Sequence, residues 1–110
     1  MIIEYKNIKM EYISEVEPTS EFSTGSIIAR LDKENAQEIF KIINEIQTKT
    51  LDFIFLSGKP CHYKPGWYKA DMQIKNEMYL GCRPSRITQV DEDNDNLFEV
   101  EIIYDRKKIN

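Results

Sequence analysis

Alternation of apolar and polar side chains is the feature that most narrows the folds open to this chain. The clearest stretch is Tyr68–Lys75, and Phe98–Tyr104 repeats the pattern. A period of two places successive side chains on opposite faces of a strand, one face buried and the other solvated. Short strands that follow one another closely along the chain pair as an antiparallel meander. The pattern therefore predicts a sheet with one face against a core.

Further segments have the composition of strands and of the reversals between them. The sequence predicts extended chain over 2–16, 26–31, 51–56, 78–82 and 86–90. The run 51–56 is apolar except for Asp52, and Gly58 and Pro60 are expected to end it. We expect Pro84 to break the ladder at 83–85, because proline cannot donate a backbone hydrogen bond. The acidic run 91–96 is predicted to be a hairpin loop, and 106–108 a polar tail.

One amphipathic helix is predicted, from Lys33 to about Lys49. Asp32 is a suitable N-cap, since its carboxylate can accept from a free amide of the first turn. An apolar stripe at helical spacing is formed by Ala36, Ile39, Phe40, Ile43 and Ile46. We expect this stripe to lie on the sheet. The predicted fold class is therefore α+β, a single domain over 1–110 with an antiparallel, mostly meander sheet of about six or seven short strands and one helix packed on one face.

Composition limits the classes of protein. The chain of 110 residues holds 41% hydrophobic residues, too many for a disordered protein, and no run approaches the ~20 apolar residues of a membrane span. The first residues lack a signal-peptide pattern, and two cysteines do not make a disulfide framework, so a cytoplasmic location is expected. A pI near 5.0 argues against nonspecific nucleic-acid binding. Sixteen Ile and eleven Lys indicate AT-rich coding, which is typical of some bacteria and their phages.

Motifs for metals and catalysis are weak. Adjacent Cys61 and His62 with a distant Cys82 lack the ligand spacing of a zinc site, and neighbouring side chains diverge in extended chain. The acidic run 91–96 departs from a calcium loop, which needs Gly at its sixth position and Glu at its twelfth. With no acid–base pair, nucleophile motif or cofactor fingerprint, we expect a protein without catalytic residues, metal or cofactor.

Charge is segregated along the chain. Residues 59–88 carry six Lys or Arg against two acids, whereas both flanks are acidic and the net charge is −4. Aromatic rings in this middle segment could stack on a planar group while its cations neutralise phosphate or carboxylate. One hypothesis is thus a module that binds a small anionic ligand such as a nucleotide, through Tyr63, Lys64, Trp67, Lys69, Arg83 and Arg86.

The acidic flanks favour a different function, which we rank first. A small acidic protein can cover the basic surface of a partner, and opposite charge speeds such association. The leading hypothesis is a stoichiometric inhibitor of a partner protein, of the immunity or antidefence type. Its expected partner-binding residues are Asp91, Asp93, Asp95 and Glu99. The sequence leaves the oligomeric state open: pairing of exposed sheet edges in a homodimer is one alternative, and Lys and Glu along the last strand argue against it at that edge.

Overall fold

A computed structural model describes residues 1–21, 23–57 and 66–109, with side chains described outside 49–57. Within these residues the chain forms seven strands, one long helix and a short 3₁₀ turn, Gly66–Tyr68. The elements are β1 (Ile2–Tyr5), β2 (Ile8–Val16), β3 (Gly25–Leu31), α1 (Lys33–Ser57), β4 (Ala70–Ile74), β5 (Glu77–Asp91), β6 (Asn94–Tyr104) and β7 (Arg106–Ile109). The predicted α+β class and the predicted number of strands are confirmed.

The sheet consists of two antiparallel meanders joined side by side. Its order is β1-β2-β3-β6-β5-β4, and β7 pairs with the first part of β5. The junction is the pairing of β3 with β6, which α1 and two strands separate in sequence. The two edge strands, β1 and β4, approach each other. There the Tyr5 hydroxyl and the Lys6 ammonium donate to the carbonyls of Tyr68 and Trp67, in the 3₁₀ turn before β4. The sheet is therefore strongly curved and nearly closed.

The core lies inside this curve, beneath α1. Alternate residues of β6, Val100, Ile102 and Tyr104, are buried as the sequence pattern predicted. The helix contributes Ala36, Ile39 and Ile43. The other buried residues of the core come from the remaining strands and are Ile3, Tyr5, Ile8, Met10, Ile27, Ala29, Leu31, Met72, Ile74, Tyr79 and Cys82.

Several predicted segments differ from the structure. The predicted loop 91–96 is only a two-residue turn, Glu92–Asp93, because Asp91 ends β5 and Asn94 already begins β6. Residues 51–57 continue α1 and form no strand, because a short apolar run is compatible with either element and adding a turn to an existing helix costs less than starting a new element. Pro84 does not end its strand: Ser85 is an extra residue that forms a bulge, and β5 continues to Asp91. The predicted polar tail 106–108 is part of β7 and pairs with β5.

A second bulge, in β2, reverses the alternation of that strand. Tyr12 pairs with Ala29 and Ser14 with Ile28, so Ile13 is an extra residue. A shift of one residue moves every later side chain to the opposite face. Glu15 consequently points into the molecule, whereas Val16 is 64% exposed.

A sharp bend separates β6 from β7. The amide of Asp105 donates to the carbonyl of Leu80, opposite Gly81, whose φ is +71°. A β-carbon on Gly81 would lie 2.3 Å from Asp105 Oδ2. Glycine is therefore required here by both its conformation and its lack of a side chain.

Candidate functional site

The hairpin between β5 and β6 has an ordered acidic end. Glu92 and Asp93 form its turn, and the Asp93 amide donates to Asp91 Oδ1 at 2.9 Å. The Gln89 side chain donates to the carbonyls of Asp91 and Asn94, at 2.8 and 3.1 Å. These hydrogen bonds fix the backbone of the turn and hold the Asp91 carboxylate in place.

The structure divides the four predicted partner-binding residues into two pairs. Asp95 lies 3.5 Å from Lys33 Nζ, and Glu99 lies 3.5 Å from Arg30 Nε. Asp91 and Asp93 make no ion pair among the described residues, and neither does the exposed Glu92 between them. We call these three residues, Asp91, Glu92 and Asp93, the acidic tip.

The base of the hairpin is attached to the beginning of α1. Asn96 Oδ1 accepts from the Lys33 amide at 3.1 Å, beside the ion pair between Lys33 and Asp95. Asp32 Oδ1 accepts from the Asn35 amide at 2.9 Å, which confirms the predicted N-cap. The acidic tip and the first turns of the helix therefore hold a fixed relative position.

An apolar groove of about 300 Å³ lies between α1 and this end of the sheet. Its apolar walls are Ala36 and Phe40 from the helix, Ile87 from β5 and Phe98 from β6. Phe40 is 53% exposed, so the prediction that it belongs to the core stripe is wrong. It lies at the edge of the stripe, where it lines the groove together with Ile87 of β5 and Phe98 of β6.

The predicted anion-binding residues fall into separate arrangements. Lys69 Nζ and Arg83 Nη1 converge on the Asp105 carboxylate, at 3.1 and 2.8 Å. Arg86 pairs with Glu101 at 3.6 Å on the neighbouring strand. Burial by itself raises the pKa of the Asp105 carboxyl, but hydrogen bonds from the two cations outweigh burial and lower it. The structure thus brings Lys69 and Arg83 together, with the Asp105 carboxylate between them.

The aromatic part of the predicted ligand site is described only in part. Tyr63 and Lys64 lie outside the described residues. Trp67 is half-buried in the 3₁₀ turn, where Lys6 Nζ lies 5.2 Å from the centroid of its ring. A basic group from the turn after β1 therefore already faces the indole ring.

One polar cluster that the sequence did not predict has a carboxylate with four donors. The hydroxyls of Tyr79 and Tyr104 donate to Glu15 at 2.6 Å each, Lys107 Nζ at 3.0 Å and the Tyr12 hydroxyl at 3.3 Å. We call these five residues the Glu15 network. The ring of Tyr79 meets that of Tyr104 edge to face, with centroids 4.9 Å apart. The bulge in β2 turns Glu15 inward, and no sequence signal for that bulge is evident.

Opposing effects act on the pKa values in this network. Burial by itself raises the pKa of Glu15, whose side chain is only 9% exposed, but hydrogen bonds from the tyrosines and the lysine lower it overall. Burial also raises the pKa of Tyr79 and Tyr104, and their bonds to the carboxylate raise it further. Burial lowers the pKa of Lys107, but Glu17 and Glu15 reverse this effect and raise it. The preferred state is an ionised carboxylate, a charged lysine and neutral tyrosines.

A polar depression of about 310 Å³ opens beside the Glu15 network. Lys107 lies in its wall and also pairs with Glu17 and, at 3.4 Å, with Glu77. Each of these groups already has a partner of opposite charge or a hydrogen bond. The arrangement holds four strands, β2, β5, β6 and β7, together.

Among the described residues, no group of three His, Cys, Asp or Glu side chains is placed to hold a metal ion. No helix in this part of the chain has the length and apolar character needed to cross a bilayer. Models of known protein families, curated proteins and solved structures gave no match to this chain. The assignment of function therefore depends on the surfaces described above.

Proposed function

We propose that this chain is a non-catalytic binding protein that inhibits a protein partner stoichiometrically, as immunity and antidefence proteins do. The observation that carries the proposal is the acidic tip, three carboxylates without ion-pair partners among the described residues, on a hairpin whose backbone is fixed. Asp95 and Glu99 support it by extending the acidic surface, although Lys33 and Arg30 neutralise part of their charge.

A fixed cluster of like charges serves recognition better than stability. Neighbouring carboxylates repel one another, and no cation within the described part of the chain pairs with the tip to offset that repulsion. Lysines or arginines on the surface of a partner would offset this repulsion, and their attraction to the tip would increase the association rate at low salt. The partner we propose is therefore a protein with a basic surface.

A cytoplasmic location belongs to the same proposal. Cys82 is a buried free thiol in the core, which suits a reducing compartment.

The test is copurification of a partner with the native chain, followed by affinity measurement with matched variants. The variant D91N/E92Q/D93N should weaken a 1:1 complex at least tenfold at low salt, with a smaller loss at high salt. The control E4Q/E21Q/E45Q removes the same charge from exposed positions elsewhere and should leave the affinity within twofold. Equal losses in both variants would show that only net charge matters and would refute an interface at the tip.

A second candidate is a module for small anions, favoured by the convergence of Lys69 and Arg83. Asp105 occupies the position that a phosphate would take, so a ligand must displace it. Under this hypothesis Asp105→Asn increases the thermal shift produced by ATP or inorganic phosphate, and Arg83→Ala abolishes it. Indifference of the melting temperature to both anions, in native and variant chains, would eliminate this candidate.

A further inference from the structure

We propose that the partner inserts one apolar side chain into the groove between Phe40, Ile87 and Phe98, from a segment whose basic residues contact the acidic tip. This inference rests on the proposed function and specifies the chemistry of the partner: a basic protein segment with a single aromatic or aliphatic anchor.

The groove has the character of an anchor site. An exposed phenylalanine ring beside two half-buried apolar side chains leaves apolar surface in contact with water. Binding energy at protein interfaces is concentrated where one large side chain fills such a pocket inside a polar rim. Gln37 and Lys33 form that rim here.

The distance from the groove to the tip sets the spacing of the partner's residues. Ile87 and Asp91 are four residues apart on β5, which corresponds to roughly 13 Å at ~3.3 Å per residue. An extended segment would therefore place its first basic residue about three to five positions from the anchor. Lys33 stands between the two surfaces, but its pairing with Asp95 reduces its repulsion of a basic segment.

Charge also favours a basic partner over a second copy of this chain. In a symmetric dimer each groove would face the same surface of the other molecule. Lys33 is the one cation among the described residues that line this groove and it already pairs with Asp95, so a second copy brings no unpaired positive charge from the groove to the acidic tip. A basic segment gains from the same charges.

Two synthetic peptides test the inference: acetyl-Trp-Gly-Gly-Lys-Lys-Lys-amide and its matched control with Gly in place of Trp. Binding is followed by amide chemical shifts in ¹⁵N-labelled protein, and size-exclusion chromatography with light scattering reports dimers. The Trp peptide should bind at least fivefold more tightly than the Gly peptide, with shifts at Phe40, Ile87, Phe98 and the acidic tip. Phe40→Ala should remove the difference between the peptides without unfolding the protein, since its ring is exposed.

The outcomes separate this inference from the proposed function. If both peptides bind equally and D91N/E92Q/D93N weakens both, the tip is an interface but the groove is not. If the Trp peptide binds in the groove and the tip variant has no effect, the groove binds an apolar group and the charge argument of the proposed function fails. If neither peptide shifts these residues, or the chain dimerises through the groove, the inference is wrong.

Discussion

Tyr79 and Tyr104 donate hydrogen bonds of equal length, 2.6 Å, to the two different oxygens of one carboxylate, that of Glu15. Tyr79 belongs to β5 and Tyr104 to β6, whereas Glu15 belongs to β2. The carboxylate thus connects strands from both meanders, and Lys107 adds the last strand. Buried networks of this kind stabilise a fold only while every member keeps its partners.

Glu15→Gln should destabilise the protein by about 2–3 kcal/mol at pH 7, because an amide cannot accept from all the donors that face it. The folded-state pKa of Glu15 is lowered, so its contribution is present above the unfolded value of about 4.3 and is lost as the pH falls through the folded value. Urea unfolding at pH 7 and pH 3 measures both effects. The difference between native protein and variant should shrink at pH 3. A constant difference would contradict an ionised Glu15.

Tyr79→Phe should lower the free energy of unfolding by about 1–2 kcal/mol, because it removes hydrogen bonds of 2.6 Å to Glu15 and 3.1 Å to Glu77. Tyr12→Phe is the matched control, because its hydroxyl lies 3.3 Å from the same carboxylate and its ring is half-exposed. We expect a loss below about 0.5 kcal/mol for the control. Equal losses by thermal or urea unfolding would show that the rings, and not the hydrogen bonds, set the stability.

Gly81→Ala should destabilise by about 1–3 kcal/mol, because alanine is strained at a φ of +71° and its β-carbon would meet the Asp105 carboxylate. Asp105→Ala removes that carboxylate, so the double variant should lose less stability than the sum of the single changes. Thr88→Ala, at an exposed position of the same strand, should change stability by less than about 1 kcal/mol. Additive losses would mean that the two residues do not meet.

Alternation predicted the strands wherever it was uninterrupted. Val100, Ile102 and Tyr104 are buried as expected, because a period of two fixes which face each residue occupies. Alternation failed to predict the faces of side chains beyond two bulges. The extra residues Ile13 and Ser85 move the side chains that follow them to the opposite face of the sheet. The Glu15 network depends on the first of these shifts, so it was beyond the reach of pattern analysis.

The candidate site was predictable only in its charges. The acidic run 91–96 is visible in the sequence, but ion pairing separates Asp95 from Asp91 and Asp93 only in the folded chain. The groove depends on where the sheet ends beneath α1, which a helical stripe does not encode. The stripe pattern placed Phe40 in the core, whereas its ring lines the groove and is 53% exposed.

Cys82 should be unreactive in the native protein. Its side chain is fully buried, and burial raises the pKa of the thiol to about 12. Because thiolate is the reactive form, a thiol reagent at pH 8 should modify Cys82 only through unfolding. The variant Cys61→Ser leaves Cys82 as the sole cysteine, and its labelling rate in increasing urea should follow the unfolded fraction. Rapid labelling without urea would contradict this burial.

The length of β5 has an evolutionary consequence. Tyr79 and Asp91 are twelve residues apart along it, which is roughly 35–40 Å of extended chain at ~3.3 Å per residue, shortened by the bend at Gly81 and the bulge at Ser85. Mutations at two such distant ends act nearly independently on stability. Under the proposed function, selection can therefore alter the acidic tip to follow changes in a partner's surface, while the residues that hold the strands together stay the same.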